Sequence, residues 1–280
     1  MSSCPSPSYP LVVLLAATLF ACGPLVELAP QGGLAGPGTP GASLPPTPTQ
    51  WPTPVNQPWR TVAIGVELRD QPVAGPHFRF PATAHMVRLD PTLVKIHVHY
   101  SPEVPITITD WQRETRASVV VNGGFFDAAR RTQGLMIGFR EPYGDSYAVG
   151  GMFYIQNGQV GLRDLSQQPY RRDEQLDEAM QSYPMLVSNG VAVHPFEEYR
   201  YNRRTAIAID SLGRAVLIVF DEPVVSLNEL SRWLAASDLE LQSAVNLDGG
   251  SSTGLAVVTD VETLIIDSGV QLPIVIAAYP

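Results

Sequence analysis

Asn246 and Asp248 stand two residues apart in the stretch Ala244-Val245-Asn246-Leu247-Asp248-Gly249-Gly250-Ser251-Ser252-Thr253. Side chains alternate along a strand, so this amide and carboxylate point together while Val245 and Leu247 take the opposite face. Gly249 and Gly250 then permit a turn whose amides can face inward as an anion nest. Ser251, Ser252 and Thr253 add hydroxyl donors directly behind it. The same Asp-Gly-Gly is also the mark of a plain hairpin turn. Upstream, Val119-Val120-Val121-Asn122-Gly123-Gly124-Phe125-Phe126-Asp127 reads as a buried strand opening into a tight turn. Asn122 falls at the strand end, with Gly123 and Gly124 allowing close approach to the backbone and Asp127 as a second carboxylate.

A third stretch, Arg203-Arg204-Thr205-Ala206-Ile207-Ala208-Ile209-Asp210, alternates so that Thr205, Ile207 and Ile209 form a core face and Arg204 lies on the other side. Arg204 there is either a solvated surface cation or a bidentate clamp for phosphate. Lys95, His97 and His99 also share one strand face, opposite Val94, Ile96, Val98 and Tyr100. They suit contact with an anion, and equally an exposed half-polar strand. No spacing suggests a conventional metal site, and no cofactor is expected, although the oxygen-rich loop around Asp248 has the ligand type a hard divalent cation takes. There is no nucleophile elbow, phosphate-binding P-loop or dinucleotide fingerprint.

The elements that must position these groups are mostly strands. Alternation marks Thr61–Leu68, Leu93–Tyr100, Ser118–Asn122, Met152–Gln156, Arg204–Asp210, Ala215–Phe220 and Leu272–Ala277. One helix is well signalled: Ser226 and Glu229 have capping-box spacing, and Leu227, Leu230, Trp233 and Leu234 recur on one face. A weaker helix is expected over Asp173–Gln181. No regular βαβ alternation is visible, so the expected class is α+β: a single domain over 59–280 with a mixed or antiparallel sheet core and few helices.

The chain has 280 residues and a formal net charge of −9, which disfavours nucleic acid and anionic membrane surfaces as partners. Its two cysteines, Cys4 and Cys22, leave the remainder without an internal disulfide or thiolate metal site. Leu11 to Ala21 form an apolar run with the length of a signal-peptide core, too short to span a bilayer. It ends in Leu19-Phe20-Ala21-Cys22, similar to the lipobox of bacterial lipoproteins. Residues 1–22 are therefore expected to be a leader, with Cys22 lipidated. Residues 23–58 are rich in Pro and Gly and read as a disordered, extended tether holding an exported domain away from the membrane.

In this order, Val121-Asn122-Gly123-Gly124-Phe125-Phe126, the segment Gln181-Ser182-Tyr183-Pro184-Met185-Leu186-Val187, Arg204-Thr205-Ala206-Ile207 and Asn246–Thr253 resemble the phosphodiester glycosidase family. The resemblance runs from about Ala117 to the C-terminus. It implies hydrolysis of a glycosidic bond whose leaving group is a phosphate ester, with a phosphate-linked glycan or glycoconjugate as substrate. On that reading Asp248 and Asp127 are the catalytic carboxylates. Asn122, Gly123, Gly124, Arg204, Thr205, Asn246, Gly249, Gly250, Ser251, Ser252 and Thr253 contact substrate. Two departures stand out. Tyr183 occupies a position where the family often has glycine, and Gln271-Leu272-Pro273-Ile274-Val275 lacks the arginine and asparagine the family tends to carry there. The second departure keeps open a non-catalytic lipoprotein that binds anionic cell-wall or capsular polysaccharide.

Overall fold

The computed structural model describes residues 55–75, 77–193 and 200–280, so the leader, Cys22 and the tether as far as residue 54 lie outside the described residues. Among these residues, runs rich in Val and Ile pair into three antiparallel sheets, as expected of β-branched residues on pleated, buried surfaces. The largest has eight strands in the order Arg60–Ala63, Val66–Val73, Ala82–Leu89, Ala215–Val225, Asn202–Asp210, Leu241–Asn246, Met185–Ser188 and Val191–Ala192. A five-stranded sheet is ordered Thr263–Ile266, Leu255–Val258, Val119–Asn122, Ile274–Tyr279 and Lys95–Tyr100. The third is ordered Glu141–Tyr143, Met136–Gly138, Glu178–Ser182, Gly151–Gln156 and Gln159–Asp164.

Alternation decides which side chains meet. Ile207, Ile209, Leu217, Val219 and Val245 from the large sheet join Val119, Val121, Ile274 and Ile276 in one central core. Phe153, Ile155 and Met180 close that core from the third sheet. The large sheet's other face, with Ala206, Ala208, Ile218 and Phe220, is covered by a helix, and Val120, Val275 and Ala277 pack under another. Helix α1 (Ile108–Thr115) is capped by Thr107 and anchored by buried Ile108 and Trp111. The second, α2 (Leu227–Ala236), starts on the expected capping box of Ser226 and Glu229 and buries Leu230 and Leu234.

Three expectations need correction. The architecture is mostly β with two short α-helices among the described residues, leaner in helix than α+β implies. The strand expected over Thr61–Leu68 is two strands joined by a turn at Gly65, whose φ of 69° is left-handed. The helix expected at Asp173–Gln181 does not form. Glu178–Ser182 is instead a strand buried at every position and paired on both sides. Leu176, Ala179 and Met180 mimic helical spacing, but a segment buried all round needs no amphipathic period, and pairing overrides propensity.

Candidate active site

The Val119–Asn122 strand is wholly buried and ends at an asparagine that uses all of its hydrogen-bonding capacity. Asn122 Nδ2 donates to the Asp248 carbonyl at 2.7 Å and to the Gly123 carbonyl at 3.3 Å. Its Oδ1 accepts from Thr205 Oγ1 at 2.7 Å and from the Gly254 amide at 3.1 Å. Thr205 Oγ1 also lies 3.3 Å from Thr253 Oγ1. Asn122, Thr205 and Thr253 have no solvent exposure, so together they form a closed polar knot within the core. A satisfied buried amide of this kind rigidifies what it joins. Here it joins the three stretches singled out from the sequence.

What the knot holds is the main chain of Asp248. Its amide donates to the Gly123 carbonyl at 3.2 Å, while its carbonyl receives the Asn122 side chain. The Asp248 carboxylate accepts the Gly249 amide at 2.9 Å and the Ser252 hydroxyl. Burial pushes the carboxyl above the usual aspartate range, and these two hydrogen bonds only partly offset it. The chain then enters a 3-10 turn, Gly250–Ser252, in which Ser251 is exposed. Gly250 has a φ of 62°, a conformation that glycine adopts without strain. Gly123 serves packing more than ligand access, because a Cβ there would stand 2.4 Å from Ile274 Cγ2.

Two expected members of the site lie elsewhere. Arg204 is paired across the sheet with Phe220, so it shares the face beneath α2, while Thr205, paired with Val219, faces the core and reaches Asn122. Its guanidinium donates to the carbonyls of Val225 (2.9 Å) and Arg200. Burial lowers its pKa to about 10, which still leaves a cation at neutral pH. Arg204 thus holds backbone together and does not join the Asn122 knot. Asp127 sits in the loop closed by the Phe126–Thr132 bridge, where its carboxylate accepts the Arg131 amide at 2.9 Å and Nε at 3.1 Å. Those bonds pull its pKa down, the reverse of what a proton donor needs. Asn246, paired with Ala206, faces the Arg204 side. Its Nδ2 donates to the Tyr183 carbonyl at 3.0 Å, and its buried Oδ1 has no partner.

The phosphodiester glycosidase family profile matches residues 115–274, more than half of the chain. The chain belongs to the phosphodiester glycosidase family. Among solved structures, it resembles the zebrafish N-acetylglucosamine-1-phosphodiester alpha-N-acetylglucosaminidase catalytic domain auto-inhibited by its pro-peptide. That match has 14% identity and a TM-score of 0.61, and covers 81% of this chain and 87% of that one. A hypothetical protein from Synechocystis is 16% identical with a TM-score of 0.51, over 76% of this chain and 62% of that one. No curated protein sequence matches.

This family member carries another arginine, Arg203, beside the turn, which the sequence pattern did not single out. Arg203 precedes Arg204 at an irregularity in the strand pairing, between the Asn202–Val225 and Arg204–Phe220 pairs. Its carbonyl oxygen is 3.0 Å from the position a Gly249 Cβ would occupy, and its NH2 donates to the Asp267 carbonyl at 3.2 Å. Gly269, two residues beyond Asp267, donates to the Ser251 carbonyl at 2.8 Å. The Arg203 Nε is buried without a partner. Alternation carried back from Thr205 could not place it, because the ladder is interrupted there.

The basic strand face forms a separate cluster. His97 Nδ1 lies 2.8 Å from the buried Glu178 carboxylate, and His99 Nε2 lies 3.0 Å from the Tyr279 hydroxyl. Burial, aided by His97, lowers His99 to a pKa of about 4, so it is neutral at physiological pH. Among the described residues, no group of three or more His, Cys, Asp or Glu is arranged to hold a metal ion. No helix there is long and apolar enough to cross a membrane.

Proposed function

We propose that the protein hydrolyses the glycosidic bond of a sugar-1-phosphodiester, with Asp248 as the reacting carboxylate. The observation that carries this reading is a half-buried aspartate of raised pKa whose main chain is fixed by a saturated asparagine, inside the family-matched stretch. A carboxylate made more basic by burial is better matched to accepting a proton near neutral pH. In the proposed step Asp248 takes a proton from water as the water oxygen bonds to the anomeric carbon. The glycosidic C–O bond breaks, its electron pair leaves on the phosphate oxygen, and the products are a free sugar and a phosphate monoester. A phosphate ester leaves readily, so the site needs charge neutralisation more than a strong acid. Arg203 and the exposed Ser251 of the turn are suited to this, since fixed donors aimed at developing charge stabilise it without reorganisation.

Purified full-length protein should release sugar from a glycosyl-1-phosphodiester, and absence of release from a panel of such substrates would reject the reading. Arg203→Ala should raise KM for the phosphodiester by about tenfold or more, since hydrogen bonds to charged groups contribute about 1.5–3 kcal/mol. Steady-state kinetics at two salt concentrations would check this, with a weaker salt dependence expected in the variant. Export through the leader, with a lipid on Cys22 and residues 23–58 as tether, completes the proposal and rests on the sequence. Cys22→Ser should move the protein from the membrane fraction to the soluble fraction, as read by immunoblot.

A further inference from the structure

A cavity of about 360 Å³ is lined by Phe125, Gln133, Tyr147 and Tyr183, large enough for a small ligand. Three of its lining residues are aromatic, the fourth is a glutamine, and none is charged. The cavity is tied to the Asp248 turn at two points. Phe125 follows Gly123-Gly124, and the Gly123 carbonyl accepts the Asp248 amide. Tyr183 gives its carbonyl to Asn246, two residues before Asp248.

Its walls are also held in place. Gln181, 2% exposed, accepts at Oε1 from the amides of Leu135 (3.0 Å) and Tyr147 (3.1 Å). Its Nε2 donates to Ser146 Oγ at 2.9 Å and to the Tyr147 carbonyl at 3.3 Å. One saturated buried amide therefore fixes the Tyr147 loop against the segment that follows Gln133. The Gln133 amide in turn donates to the Phe125 carbonyl at 2.8 Å. The remaining wall, Tyr183, is 53% exposed and has little packing to lose. One exposed aromatic and two half-buried ones around a hollow have the composition of a binding surface.

We infer that this cavity is the subsite for an uncharged pyranose ring of the substrate, with Tyr183 as its specificity-determining wall. A pyranose presents apolar C–H faces that pack on aromatic rings and edge hydroxyls that both donate to and accept from an amide such as Gln133. An anion finds no counter-charge among the four lining residues, whereas Arg203 offers one beside the Asp248 turn. The phosphate is thereby directed to the Arg203 side and acidic sugars such as uronic acids are rejected. The choice of a sugar as ligand rests on the hydrolase reading above; the cavity itself does not.

The test uses the full-length protein, with methyl pyranosides and methyl uronosides as probes in saturation-transfer NMR, and neutral-sugar phosphodiesters in steady-state kinetics. The neutral glycoside should bind, the uronoside should not, and inorganic phosphate should fail to displace the former. Tyr183→Ala should raise KM by about tenfold with kcat nearly unchanged, the size expected for losing one aromatic wall. Gln133→Ala, which leaves the backbone bond to Phe125 intact, should weaken glycoside binding as well. Glycoside binding that is lost in Tyr183→Ala without turnover of any phosphodiester would keep the subsite and remove the hydrolase reading. Turnover with an unchanged KM in both variants, equal binding of the uronoside, or no glycoside binding at all would overturn the subsite.

Discussion

Asp248→Asn is expected to reduce the rate of sugar release by about 10²–10⁴-fold, the span attributed to a positioned acid or base, while leaving the fold intact. The substitution is nearly isosteric, and its Oδ1 can still accept the Gly249 amide. Stability should move the other way from activity. A carboxyl whose pKa is raised in the folded state binds its proton more tightly there than in the unfolded chain. The fold therefore loses stability as pH climbs from the ordinary aspartate range through the raised folded-state value, and keeps that deficit above it. The asparagine variant has no such deficit, so its Tm at neutral pH should equal or exceed that of the parent. Sites that retain a strained or desolvated group for activity behave in this way. The same titration sets the acidic limb of kcat/KM. Activity of the parent should rise with pH as Asp248 ionises, with a midpoint above the usual carboxylate range, and the residual activity of the variant should lack that limb.

Asn122→Ala should show the opposite combination, losing stability and activity together. Removing the amide strands the Asp248 carbonyl, the Gly254 amide and one bond of the Thr205 hydroxyl inside the core. A buried polar group left without its partner costs about 1–3 kcal/mol, so a loss on the order of 3 kcal/mol is expected even after Thr205 turns toward Thr253. In a domain of this size that lowers Tm by about 6–12 °C. Turnover should fall as well, since the Asp248 main chain loses one of its two anchors. Thermal denaturation and kinetics on the two variants together separate a supporting residue from a reacting one. A fully active, fully stable Asn122→Ala would show that the knot does not position Asp248.

The strand positions around the site were legible because alternation is a local property. Thr205, Ile207 and Ile209 face the core as their spacing requires, and Asn122 ends a buried valine run where the glycines begin. The capping box of α2 was legible for the same reason. What local pattern could not show was the use each group makes of its hydrogen bonds. Arg204 looks like a free phosphate clamp until the Val225 and Arg200 carbonyls are placed beside it. Asp127 looks like a second catalytic carboxylate until the chain doubles back at Thr132 and brings the Arg131 amide onto it. The aromatic cavity was invisible for a further reason. Phe125, Gln133, Tyr147 and Tyr183 come from separated stretches, and only pairing of Glu178–Ser182 between two strands brings them together through Gln181. Reading that segment as a helix removed the element on which the cavity depends.

Hydrolysis of a glycosyl-1-phosphodiester in ¹⁸O-enriched water, followed by mass spectrometry of both products, bears most directly on the role given to Asp248. Attack of activated water at the anomeric carbon predicts the heavy oxygen on the released sugar and none on the phosphate monoester, with both products formed about 10²–10⁴-fold more slowly in Asp248→Asn. Label on the phosphate, or undiminished sugar release by the asparagine variant, would contradict it.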